Sequence, residues 1–133
     1  MKQATLYTDG GARGNPGPAA AAYVLAIAGG ETIEAGDYLG EATNNQAEYE
    51  ALLRGLSRAR EAAVTNLAVF MDSELIVKQM SGEYRIKNAD LKILYDKVCS
   101  LIAAFDRVTF EHVPRAKNKR ADALVNETLD KKN

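Results

Sequence analysis

The sequence holds one cysteine, one histidine and no long apolar run. A lone Cys99 excludes an intramolecular disulfide and suits a reducing compartment. Cys99 falls in a run of helical apolar spacing (Leu91, Leu94, Tyr95, Val98, Ile102), so it reads as a buried small hydrophobe. The most apolar stretch, Ala19 to Ala28, covers only ten residues, against the ~20 that a membrane helix requires. It begins after Pro18, lies far from any basic start and ends at Gly29-Gly30. No targeting segment is read, no membrane is expected, and the expected location is cytoplasmic. Internal repeats, low-complexity tracts and linkers are also absent. The net charge of −1 argues against a protein that coats nucleic acid through a strong positive field. Nucleic acid itself stays open as a partner, because basic residues gather late: Lys78, Arg85, Lys87, Lys92, Arg115, Lys117, Lys119 and Arg120.

What is present fits one compact unit. A chain of 133 residues has the length of one domain, so residues 1–133 are expected to form a single domain and a monomer. The 47% hydrophobic and 26% charged content suits an ordinary core and surface. Gln3–Asp9 mixes apolar and β-branched residues and reads as a strand. Gly10 to Pro18 is rich in glycine and proline and reads as a loop. Ala19–Ala28 reads as a strand entering a hairpin at Gly29-Gly30, with Thr32–Leu39 as its partner. A helix from Asn44 to Ala63 follows, opened by the capping residues Thr43 and Asn44. Leu67–Met71, five apolar residues in succession, has the pattern of a strand covered on both faces. A short helix from Ser73 to Met80, a helix from Asp90 to Ala104, a strand Arg107–Val113 and a helix from Asn118 to Leu129 complete the chain. Three strands, then strands alternating with helices, imply an α/β fold: a mixed sheet with helices on both faces.

Four acids stand in costly places. Asp9 and Asp72 close apolar strands, while Glu48 and Asp122 lie near helix starts, with Glu48 on the rim of the apolar arc of its helix. Desolvating such a carboxylate costs several kcal/mol or more unless it is paired or metal-bound. Ligand sites in open α/β sheets lie outside the carboxyl ends of strands, where these acids meet. Helix-dipole attraction would account for Glu48 alone, and ion pairing for any one of the four. As a set they suit a hard cation, since Mg²⁺ takes oxygen ligands and prefers a few carboxylates plus water and phosphate. Two ions ~3.5–4 Å apart clamp both oxygens of an in-line phosphoryl displacement.

The motifs resemble type 1 ribonuclease H, in its compact bacterial and archaeal branch. They are Tyr7-Thr8-Asp9-Gly10-Gly11 with Gly14-Asn15-Pro16-Gly17, Thr43-Asn44-Asn45-Gln46-Ala47-Glu48, Asp72-Ser73, and Asn118 with Ala121-Asp122. Gly82 to Asn88 and His112-Val113-Pro114-Arg115 point to the compact branch. The resemblance implies a ribonuclease H-like five-stranded sheet, three antiparallel strands then two parallel ones. It implies an endonuclease that cuts the RNA strand of an RNA–DNA hybrid, leaving 5′-phosphate and 3′-hydroxyl ends. It also implies two Mg²⁺ or Mn²⁺ ions per site with substrate bound. Asp9 would bridge both, Asp122 would complete the ion at the attacking water, and Glu48 and Asp72 would hold the ion at the leaving oxygen. A metal that lowers the pKa of water suits a chain with one histidine.

The 2′-hydroxyl that marks RNA lies in a wide, shallow minor groove. Gly10 and Gly11, through their backbone, and Asn15, Asn45 and Gln46, through their amides, are the candidates to read it. The competing reading is turn chemistry for Asn15 and helix capping for Asn44 and Asn45. Thr43 resembles a residue that holds a DNA-strand phosphate, at a helix start suited to an anion. The chain departs from many relatives in three places. It lacks tryptophan and the basic protrusion, with Arg85, Lys87 and Lys92 as partial substitutes. Glu41 stands where relatives carry an arginine, and Arg115 or Lys117 where they carry a loop histidine. His112 alternates with Val108 and Phe110 and reads as structural. The alternatives are a two-metal nuclease for double-stranded RNA or DNA junctions, and a non-catalytic hybrid-binding module. All four carboxylates are present, which argues against the last.

Overall fold

The computed structural model describes residues 1–132. One five-stranded sheet is formed by strands β1 (Gln3–Ala12), β2 (Gly17–Ile27), β3 (Thr32–Ala42), β4 (Asn66–Met71) and β5 (Arg107–His112). Four helices, α1 (Asn44–Glu61), α2 (Glu74–Met80), α3 (Ala89–Ile102) and α4 (Lys119–Lys131), join them, with a 3₁₀ turn at Arg115–Lys117. The strand order is β3-β2-β1-β4-β5. β1 pairs antiparallel with β2 and β2 with β3, whereas β4 runs parallel to β1 and to β5. This is the expected five-stranded mixed sheet.

Alternation along the strands decides which helix covers which face. Leu6, Leu25, Leu67, Val69 and Met71 are buried in one cluster with Tyr49, Leu52 and Leu56 of α1 and Val98 of α3. Ala20 and Ala22 turn the other way and meet Val125 and Leu129 of α4. Small side chains are required there, because α4 comes close enough for a Cβ at Gly36 to collide with Thr128. Each large apolar side chain so buried contributes ~1.5–3 kcal/mol.

Four local readings are corrected. Gly10–Ala12 continue β1 and Gly17-Pro18 begin β2, leaving only 13–16 as loop. The glycines are strand residues because Gly10, Gly11 and Ala12 pair with Ala21, Ala20 and Ala19. β4 alternates between half-buried and buried residues, so only one face is fully covered. Phe70 on the other face stacks on Tyr7 at 5.0 Å, which gives the apolar residue there a partner. Cys99 is exposed, one position past the buried Val98. His112 is exposed as well, at the very end of β5 where alternation no longer meets a core.

The start of α1 is set by a capping box. The Gln46 N–H donates to Thr43 Oγ1 at 3.1 Å, and the Thr43 N–H donates to Gln46 Oε1 at 2.9 Å. That turn then crosses β1 backbone to backbone, since a Cβ on Gly10 would collide with the Ala47 carbonyl. Gly10→Ala is therefore expected to destabilise the fold by ~2 kcal/mol, the scale of overpacking. Urea unfolding checks this; an unchanged midpoint would show that the helix start is free to move.

Candidate active site

Asp9 and Asp72 point from β1 and the end of β4 to the face that carries α4, since Tyr7 and Phe70, two positions earlier on each strand, stack on that face. Asp122 enters from the first turn of α4. Glu48 approaches from α1, held close by the Gly10–Ala47 contact. All four line one pocket with Gly10, Gly11, Ala12, Asn44 and Arg115. Glu48 is the fifth residue of its helix, and no acid lies in that helix's first turn. Because the dipole effect fades within the first turn, it does not explain Glu48.

The electrostatics are those of crowded, partly desolvated acids. Asp9 is pushed up to about 8, mainly by burial, then by the charges of Asp72 and Asp122, a hydrogen bond shared with Asp122, and Glu48. Glu48 is pushed up to about 7 by burial and, more weakly, by Asp72; a hydrogen bond with Ser73 pulls the other way. The Ser73 hydroxyl also accepts the Ile76 N–H at 3.3 Å and so caps α2. Among the described residues, the only basic side chain paired to the group is Arg115, which meets Asp122 at 3.3 Å. Its side chain is 77% exposed, so the pair offsets little of the repulsion. Among the described residues, no three His, Cys, Asp or Glu side chains are arranged closely enough to hold an ion by themselves. The four line an open pocket instead, an arrangement suited to a cation that keeps water and phosphate among its ligands.

The expected substrate residues divide. Gly10, Gly11 and Arg115 line the pocket. Asn15 accepts the Asn44 N–H at 3.1 Å, and the Asn44 side chain accepts the Ala12 N–H at 2.8 Å. These contacts tie the 13–16 loop to the start of α1, so Asn15 has a structural duty in addition to any contact with substrate. Thr43 and Gln46 are engaged in the capping box, which leaves the Gln46 amide nitrogen as the end free to donate. Gln46 lines a different groove, with Glu50 and Arg54. Asn45 is half-buried. Arg85 and Lys87 are exposed in a groove with Tyr84 and Tyr95, while Lys92 is paired with Asp96. Asn44, Arg13 and Asn126 line the acidic pocket without having been singled out for it. Asn44 sits in the quoted motif, but its capping signal hid a position facing the pocket.

This sheet order, with acids at the carboxyl ends of β1 and β4, defines a ribonuclease H-like fold. The sequence pattern of the reverse transcriptase-like family matches residues 7–128. The chain is 46% identical over 125 residues to "Ribonuclease HI" of Halobacterium salinarum, covering 93% of this chain and 63% of that protein. It is 45% identical over 127 residues to the "Bifunctional protein Rv2228c" of Mycobacterium tuberculosis, covering 94% of this chain and 35% of that one. Among solved structures, LC11-RNase H1 in complex with RNA/DNA hybrid superposes with a TM-score of 0.90 at 46% identity, covering 96% of this chain and 97% of that one. The chain belongs to the ribonuclease H family. It spans about a third of the mycobacterial relative's length and under two thirds of the haloarchaeal one's.

The raised Asp9 and Glu48 give a stability test. In the unfolded chain both acids ionise near 4, so the fold binds the extra protons between about pH 4 and 8. Their contribution to stability is present in full below the unfolded value and is lost as pH rises through 7 and 8. Asp9→Asn removes one repelling charge. In EDTA at pH 8.5 it is expected to raise Tm by roughly 4 °C, the scale of 1 kcal/mol in a domain of this size, with little change at pH 4. A lowered Tm at both pH values would contradict the repulsion.

Proposed function

We propose that residues 1–133 form a single catalytic domain that hydrolyses the RNA strand of RNA–DNA hybrids using two divalent cations, Mg²⁺ or Mn²⁺. The products would carry 5′-phosphate and 3′-hydroxyl ends. The observation that carries this reading is the set of four acids from four elements lining one pocket, with Asp9 raised by burial and then by its acidic neighbours. The donor set fits the group: every ligand is a carboxylate oxygen, and the repulsion among them is what a cation relieves. Asp9, Glu48, Asp72 and Asp122 would hold the ions. When bound, the ions lower the pKa of water and neutralise charge on the phosphate.

The chain's own residues supply the rest. Asp9 is the acid that feels the charges of all three others, Asp72, Asp122 and Glu48. Its central place suits a ligand common to both ions. Arg115, exposed at the pocket's mouth, can leave Asp122 for a phosphate at little cost, since a surface pair is worth ~0–1 kcal/mol. The Gly10-Gly11 backbone and the amides of Asn15, Asn45 and Gln46 would read 2′-hydroxyls. Thr43, at the start of α1, would take a phosphate of the DNA strand. The hybrid named for the LC11 structure supports such a partner for this chain. The domain would act in the cytoplasm as a monomer.

The test is cleavage of end-labelled duplexes with one, four or many ribonucleotides, with Mg²⁺ or Mn²⁺ varied. Cleavage is expected within runs of four or more and not at a single ribonucleotide, and Asp9→Asn should lower the rate by 10³-fold or so, the loss of several kcal/mol of transition-state stabilisation. Wild-type cleavage by Asp9→Asn would refute the reading. Arg115→Ala is expected to slow turnover by about tenfold, the cost of ~1.4 kcal/mol; an unchanged kcat would leave Arg115 outside the reaction.

A further inference from the structure

Asn118 occupies the N-cap of α4 yet does not cap it: no side-chain hydrogen bond runs from Asn118 to the helix's first turn. Asparagine is favoured at N-caps because its oxygen takes an orphan N–H, a contact worth ~1 kcal/mol. Here that contact is forgone. The side chain, 1% exposed, turns inward and its Nδ2 donates to the Thr8 carbonyl at 2.9 Å, across 110 positions of sequence. The parallel ladder between β1 and β4 ends at the Thr8–Met71 pair, so this carbonyl lies where the strand partner runs out. The same residue's backbone carbonyl accepts the Asp122 N–H at 3.1 Å. Asn118 thus grips the peptide group that leads into Asp9 with its side chain and the amide of Asp122 with its backbone. Two acids that repel each other are bracketed by one residue. Asn118 Oδ1 and Thr8 Oγ1 are both buried without a protein partner, an unfavourable arrangement that core packing alone does not call for.

We propose that Asn118 is a positioning residue that sets the spacing of Asp9 and Asp122, and through it the affinity of the site for a divalent cation. This rests on the metal-binding reading given above. Outer residues that orient metal ligands typically matter by 10–100-fold in metal affinity.

Mn²⁺ binding in the absence of substrate, followed by electron paramagnetic resonance, separates the two ideas. The unsubstituted protein, Asp9→Asn and Asn118→Ala are compared well below their Tm values. Mn²⁺ affinity is expected to vanish in Asp9→Asn and to fall about tenfold or more in Asn118→Ala. In hybrid cleavage, Asn118→Ala should lose kcat with KM for the hybrid unchanged. If Asp9→Asn lost Mn²⁺ while a less stable Asn118→Ala kept wild-type affinity, Asn118 would be a structural tie only and the inference would fall. If Asp9→Asn bound Mn²⁺ as well as the unsubstituted protein, the metal-binding reading would fall first. Should Asn118→Ala not fold, nuclear magnetic resonance of the unsubstituted protein decides. A through-hydrogen-bond coupling from Asn118 Nδ2 to the Thr8 carbonyl carbon is expected, with the Asn118 amide shifting along a Mg²⁺ titration together with the Asp9 and Asp122 amides. A missing coupling, or an amide blind to Mg²⁺, overturns the proposal.

Discussion

Asp9, one residue past the point where β1 loses its parallel partner β4, is surrounded by three other acids, and burial there makes its charge costly. Repulsion of this kind would push flexible side chains apart if their backbones were free to yield. They are not. Glu48 is carried on a helix whose first turns touch β1 backbone to backbone at Gly10, and Asp122 on a helix whose N-cap is tied to Thr8. Asp72 follows a strand hydrogen-bonded on both sides, to β1 and β5. The energy to hold four acids together comes from the core beneath them, where Tyr49, Leu6, Leu25, Leu52 and Leu56 are fully buried.

That division of labour accounts for the placement of the small residues. Gly10 admits α1, and Gly36 with Ala20 and Ala22 admits α4. Both helices deliver an acid to the same edge of the sheet. Larger residues at these positions would lift the helices and separate the carboxylates before they unfolded the domain. The bidentate Arg120–Glu34 pair, at 2.9 and 3.0 Å, joins α4 to β3 from the solvent side and adds to the alignment without entering the pocket.

Much of this was legible in the residues themselves. Alternation and turn residues gave the five strands and their order of appearance, and Thr43 with Asn44 marked the helix start as capping residues. The motifs around Asp9, Glu48, Asp72 and Asp122 pointed to four acids that the structure brings to one pocket. What was hidden depended on contacts between distant segments. Gly10–Ala12 look like a loop because glycine breaks local structure, but an alanine-rich partner strand overrides that preference. Cys99 lies one residue, or ~100° of helix, from Val98, a difference that spacing alone does not resolve. Asn118 marked the start of the last helix, and only the fold shows its side chain turned to Thr8.

The central claim is that the acids at this edge hold protons until a cation replaces them. Calorimetric titration of the metal-free protein with Mn²⁺, in buffers of different ionisation enthalpy, tests it most directly. With Asp9 at about 8 and Glu48 at about 7, binding at pH 7 is expected to release between about one and two protons per site, and almost none at pH 9.5. Binding at pH 7 with no proton release would contradict the account.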